Sequence, residues 1–252
     1  MRTGALLSGQ VRLAQRSFWR NPESAFFSFA MPLGVLLIFG ATSPNNPIPG
    51  RTDVRMLTLF VPGILAFAVV VIAYGNLAAT LALQRADGVL KRVRATPLDP
   101  AVYLGGQLMS VLLTTLVIAA STVALGGAVF GVLPRAVALP QLALTLAFGI
   151  VCFAALGIAI SAAIPTADSA GAVTNGTYLP LAMVSGMFSA QLHLPHAVDA
   201  VVSAFPLKAL ADGLRWSYDP ARHGMPMAAL LVLAIWSVFG VGLARRFFRW
   251  EP

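Results

Sequence analysis

The sequence predicts an all-α integral membrane protein with six transmembrane helices, an amphipathic helix before them, and a broken re-entrant segment between spans five and six. Three observations predict it. Of the 252 residues, 58% are hydrophobic and 10% charged, whereas about a quarter of a soluble domain is charged. Six runs free of charge each reach the roughly 20 residues that cross about 30 Å of hydrocarbon. Arginines and lysines gather in the segments between those runs, and unequally on the two sides.

The whole chain, residues 1–252, reads as one transmembrane domain. Residues 1–23 form an interfacial helix. Arg12, Arg16 and Arg20 share one face at i, i+4, i+8, while Leu7, Val11, Ala14 and Phe18 fall at helical spacing on another. Residues 2–20 have no continuous apolar core and no small-residue cleavage site, so a removable signal is not expected. Asn21-Pro22 then starts a helix, with Asn as cap and Pro in the first position.

The bundle occupies 24–247. Its spans are expected at about 25–41, 56–84, 100–134, 136–167, 169–192 and 224–244. The Pro- and Asn-rich stretch 42–50 reads as a loop, and Pro180 is expected to kink the fifth span because it lacks an amide hydrogen. Gly127 and Gly131 have the spacing of close helix packing in span three. Residues 193–223 are too short and too broken, by Pro206, to cross, and are expected to dip into the outer leaflet against spans five and six.

Six spans put both termini on one side. That side receives Arg2, Arg12, Arg16, Arg20, Arg85, Lys91, Arg92, Arg94, Arg245, Arg246 and Arg249. The other receives Arg51, Arg55, Arg135, Lys208, Arg215 and Arg222. The richer side is expected to be cytoplasmic. The net charge of +8 then reflects membrane orientation, and no nucleic-acid partner is inferred from it.

Catalytic patterns are weak. Gly4–Gly9 has phosphate-loop spacing, but Gln10 stands where lysine is required. No catalytic residue, bound cofactor or metal site is assigned. His193 and His196, with His223 further on, are read first as interfacial residues. Cys152 is the only cysteine, so no disulfide forms within the chain. The span interiors hold no ionisable residue, in contrast to ion-coupled carriers, so the energy source is expected outside this chain. The polar groups that remain are candidates for a translocation path: Tyr74, Asn76, Thr174, Asn175, Thr177 and Tyr178, together with Pro180 and Phe188. Hydrogen-bonded helix packing is the structural alternative for the polar ones.

The stretch 84–98, Gln-Arg-Ala-Asp-Gly-Val-Leu-Lys-Arg-Val-Arg-Ala-Thr-Pro-Leu, interrupts the apolar runs. Gly88 can break the helix leaving span two. Val89, Leu90 and Val93 form an apolar side, with Lys91, Arg92 and Arg94 opposite, and Thr96-Pro97 stops the helix. The expectation is a cytoplasmic loop with a short helix that a soluble partner grips through Leu90 and Val93. A positive anchor at lipid phosphates is the plainer reading.

This loop resembles that of the ABC-2-type transporter permeases, in particular the drug- and antibiotic-export branch of bacteria. There it commonly reads Glu-Arg-Glu-x-Gly-Thr-Leu-x-x-Leu-x-x-Ser/Thr-Pro. Arg85, Gly88, Leu90, Thr96 and Pro97 match, Val93 is a close substitute, and Gln84, Ala86 and Val89 depart. The resemblance extends over the chain, with Tyr178-Leu179-Pro180 in the fifth span and Phe205-Pro206-Leu207 with Asp212-Gly213-Leu214-Arg215 in the outer hairpin. It implies a permease subunit in a bacterial inner membrane, paired with a second permease subunit, identical or related. Two separate ATPase subunits would bind ATP and Mg, drive export of a lipophilic or amphiphilic substrate, and dock on Arg85, Asp87, Gly88, Leu90, Lys91, Arg92, Val93, Arg94, Thr96 and Pro97. An energy-independent carrier or channel, and a membrane-bound enzyme of lipid metabolism using His193, His196 and His223, are the rival readings.

Overall fold

The computed structural model describes residues 2–42, 47–48, 51–166, 168–187 and 196–248. Among these, the architecture is a helical bundle with one short hairpin. Helix α1 (Arg2–Arg20) is followed by α2 (Pro22–Thr42). The side chain of Asn21 caps α2, accepting the Ser24 amide at 3.2 Å, as its sequence position suggests. Within the stretch 42–50 expected as a loop, β1 (Pro47–Ile48) pairs antiparallel with β2 (Arg51–Arg55), which follows it.

The second span, Met56–Ala86, is the axis of the bundle. It comprises α3 (Met56–Val70), a π-helical segment (Val71–Asn76) and α4 (Leu77–Ala86). Most of this helix is buried inside the protein, whereas most of the outermost spans α2 and α11 is exposed to the surroundings. Its all-round apolar sequence explains this, since a helix without a polar face is stable only when surrounded. A short helix α5 (Val89–Arg94) follows, then α6 (Pro100–Phe130), α7 (Leu139–Ser161), α8 (Ala170–Val184), α9 (His196–Ser203), α10 (Pro206–Trp216) and α11 (Met227–Phe247).

Among the described residues, five helices are long and apolar enough to cross a membrane: α2, the second span, α6, α7 with the turn before it, and α11. The fifth expected span is represented by α8. Its 15 residues extend about 22 Å at 1.5 Å per residue, short of a crossing by themselves. Residues 185–187 turn after it, and part of the expected span, 188–192, lies outside the described residues.

Small residues set the packing. A Cβ on Gly157 of α7 would lie 2.9 Å from the carbonyl oxygens of Ala73 and Tyr74, so α7 presses directly on the π segment. Gly240 of α11 seats against Ala155 of α7, and Gly149 of α7 receives Leu210 of α10. The Gly127/Gly131 pair does not join two helices. Gly131 lies at φ +66° beyond the end of α6, and the Val132 amide closes back on the Gly126 carbonyl at 3.0 Å. This is a left-handed helix stop, and the glycine that meets another span is Gly126, against Val61.

Helix α10 packs against α3, α7 and α11, and α9 packs on α10. Arg215 of α10 donates to the carbonyls of Leu59 (3.2 Å) and Gly186 and pairs with Asp212 at 3.2 Å. Arg135 reaches the carbonyls of Trp216 and Arg222, and Arg222 stacks over the Trp216 ring at 4.7 Å. The cations of this segment are thus used to hold irregular backbone in place.

Candidate coupling loop and translocation cavity

At the loop, local geometry follows from Gly88. Helix α4 ends at Ala86, Gly88 adopts φ +67° and ψ 14°, and α5 leaves in a new direction. A glycine takes this left-handed conformation without the Cβ penalty. Thr96 closes the other end, its hydroxyl donating to the Val93 carbonyl at 2.7 Å. Asp99 then caps α6 by accepting the Ala101 amide at 2.8 Å, with Pro100 in the first turn.

The faces of α5 differ from expectation at one residue. Leu90 has no exposed surface and Val93 is half-buried, whereas Lys91, Arg92, Arg94, Thr96 and Pro97 are exposed. Leu90 therefore fastens α5 to the protein and is not available to a partner. The amphipathic pattern was correct, but a short helix lying on its own bundle spends its apolar side there. The exposed cations form the outward face.

Arg85 is likewise not on the surface. It is buried and donates to the carbonyl oxygens of Ser161 (2.9 Å) and Ile164 (2.5 Å). Ser161 ends α7 and Ile164 lies in the turn just after it, where terminal carbonyls lack helical partners and the helix dipole favours a cation. Next to it, the Tyr103 hydroxyl of α6 donates to Gln84. Residues 84 and 85 thus tie the loop to two other spans. Asp87 is exposed, and its carbonyl accepts from Arg92 at 3.1 Å.

The candidate path residues divide into groups. Tyr74, Thr177 and Tyr178 come together across 103 residues of sequence: the Tyr74 hydroxyl and Thr177 Oγ1 lie 2.7 Å apart, and the two tyrosine rings meet edge to face at 6.2 Å. They line an apolar cavity of about 440 Å³ whose other walls include Phe153 and Ile160 of α7, Phe205 just before α10, and Trp236 of α11. Phe205 and Trp236 stack at 6.0 Å, and the Trp236 indole donates to the Ala204 carbonyl.

Asn76 points elsewhere. It donates to the Ser28 hydroxyl of α2 and lines a second, polar cavity of about 340 Å³ with Thr80, Gln84, Gln107, Ser110 and Thr114. Thr174 is buried and bonds the Ala170 carbonyl of its own helix at 2.8 Å, while Asn175 and Pro180 are exposed. Phe188 lies outside the described residues, as does His193. His196 begins α9, and His223 meets the Ala221 carbonyl at 3.2 Å.

Helix α1 closes the polar cavity. Its Gln15 donates to the Ser110 carbonyl (2.8 Å) and Thr114 hydroxyl (3.1 Å) of α6 and accepts from Trp19. Gly106 makes room for Gln10 at this crossing. Arg12, Arg16 and Arg20 remain exposed on the opposite face.

The π geometry and the α7 wall of the apolar cavity are not legible from residue type. A π turn has no residue signature, and Phe153 and Ile160 read as ordinary span residues. Tyr74 and Asn76 on that segment were the only visible hint.

No curated protein sequence matches the chain. The family model of the ABC-2 type transporter matches residues 7–218. That range runs from α1 through α10 and includes the loop, the Tyr74–Thr177 pair, the second cavity's polar residues, and α9 and α10. The chain belongs to the ABC-2 type transporter family, as a multi-pass membrane component of a transporter.

Proposed function

We propose that the chain is the permease subunit of an ATP-driven exporter, with separate ATPase subunits docking on the exposed cations of α5. The observation that carries this reading is the tie of the 84–98 loop to two spans, through Arg85 to α7 and Gln84 to α6. A partner that displaces α5 moves elements that wall both cavities. This is the differential contact a partner needs to bias two conformations.

In this reading α8 and residues 185–192 together make the fifth of six crossings. Both termini and the loop then lie in the cytoplasm of a bacterial inner membrane, on the arginine-rich side. Two copies of the chain, or one with a relative, frame the path. A lipophilic or amphiphilic substrate suits the 440 Å³ cavity, whose walls are mostly apolar, with polar groups at Tyr74, Thr177, Tyr178 and Trp236. The drug-export branch fits that lining and the loop motif.

The test is co-purification with the cognate ATPase. Lys91→Glu, Arg92→Glu and Arg94→Glu together should abolish association while the permease remains folded, because these side chains are exposed. Unchanged association would remove α5 as the docking element. Leu90 is unsuitable for this test, since replacing a fully buried leucine disturbs the fold itself.

A further inference from the structure

A third cavity, of about 490 Å³, lies apart from the two already described, in a groove between α6, α7 and α11. Its floor and walls are apolar along the whole length, and one arginine, Arg245, stands in its lining. Helix α6 runs along the groove antiparallel to α7 and α11. Along α6 it extends from Leu104 to Leu112, along α7 from Ile158 to Ile150, and along α11 from Arg245 to Val241. In each case the first residue lies toward the loop end. Eight residues of α6 rise about 12 Å, close to the roughly 15 Å of one leaflet's hydrocarbon.

We infer that this groove holds one acyl chain of an anionic phospholipid from the leaflet on the loop side, with the lipid phosphate on Arg245. Length, apolar lining and the position of the cation each match that occupant. Basic pockets between membrane helices at this depth recognise anionic head groups. Arg245 sits in the last turn of α11 and is exposed, so a phosphate reaches it without rearrangement. The lipid rests on α7 and α11 where they pack through Gly240 and Ala155, so it fills a flaw in the outer wall and leaves the Tyr74 cavity free.

Native mass spectrometry of the purified chain, titrated with phosphatidylglycerol and separately with phosphatidylcholine, tests this. The wild type should retain one phosphatidylglycerol per chain in preference to phosphatidylcholine. Arg245→Gln should weaken phosphatidylglycerol about fivefold, as one surface arginine is worth about that much, and leave phosphatidylcholine unchanged. Val151→Trp, at an exposed position of the groove wall, should reduce retention of both lipids. Equal retention of phosphatidylglycerol by wild type and both variants would mean unspecific annular lipid only and would overturn the proposal. Loss in Val151→Trp without any change in Arg245→Gln would overturn the head-group assignment and with it the anionic occupant.

Discussion

Arg85 donates to the carbonyl oxygen of Ser161 at 2.9 Å, across 76 residues of sequence. It joins the last turn of the second span to the last turn of the fourth. One such bond contributes about 1 kcal/mol, or 1.5–3 when a charge is involved. Driving a two-state protein from one extreme to the other takes about 5.5 kcal/mol. Arg85 alone cannot carry that. It acts as a tie that keeps α4 and α7 together while packed helices carry the load.

Replacing it should therefore loosen the joint without dissolving the bundle. Arg85→Gln removes the bonds to the Ser161 and Ile164 carbonyls and should cost about 1–3 kcal/mol, read as a fall in thermal stability in detergent. Arg85→Lys should recover part of it, since the charge remains near the helix end but the two-carbonyl geometry is lost.

Gly88 tests the turn. A Cβ there meets nothing within 4 Å, but φ is +67°, so the expected effect of Gly88→Ala is backbone strain alone, about 1–2 kcal/mol. Gly88→Asn should cost less, because asparagine tolerates this region. Equal melting temperatures for Gly88→Ala and wild type would contradict the turn described.

Gly157 tests the contact between α7 and the π segment. Gly157→Ala places a methyl 2.9 Å from two backbone oxygens and should destabilise by about 1–3 kcal/mol, as overpacking does. Gly176→Ala on α8 provides the control. Nothing lies within 4 Å of it, and alanine should be neutral or slightly stabilising in a helix.

Tyr74 and Thr177 should be coupled. Tyr74→Phe and Thr177→Val each remove one partner of the 2.7 Å contact, and a double-mutant cycle on thermal stability should show about 0.5–1.5 kcal/mol of interaction. Additive losses would mean that the contact contributes nothing.

Much of the fold was legible because membrane spans announce themselves by length and hydropathy. The Asn21 cap, the Gly88 break and the Thr96-Pro97 stop were also visible, each a local rule acting on neighbouring residues. What stayed hidden depends on distant partners. Nothing in the 84–98 stretch says that Arg85 turns inward to α7 or that Leu90 is already occupied. Gly127 and Gly131 carried a spacing whose meaning changed once Gly131 ended the helix. Among the polar candidates, Tyr74, Thr177 and Tyr178 meet around one cavity. Residue type alone does not distinguish them from Thr174, bonded within its own helix, or from exposed Asn175.

The most direct test of the account is transport in vesicles. Proteoliposomes containing the chain and its cognate ATPase should move a lipophilic fluorescent dye only when ATP is present on the ATPase side. The Lys91→Glu, Arg92→Glu, Arg94→Glu variant should show none. Dye movement by the chain without an ATPase, or undiminished ATP-dependent movement in the variant, would contradict the claim that work enters through this loop.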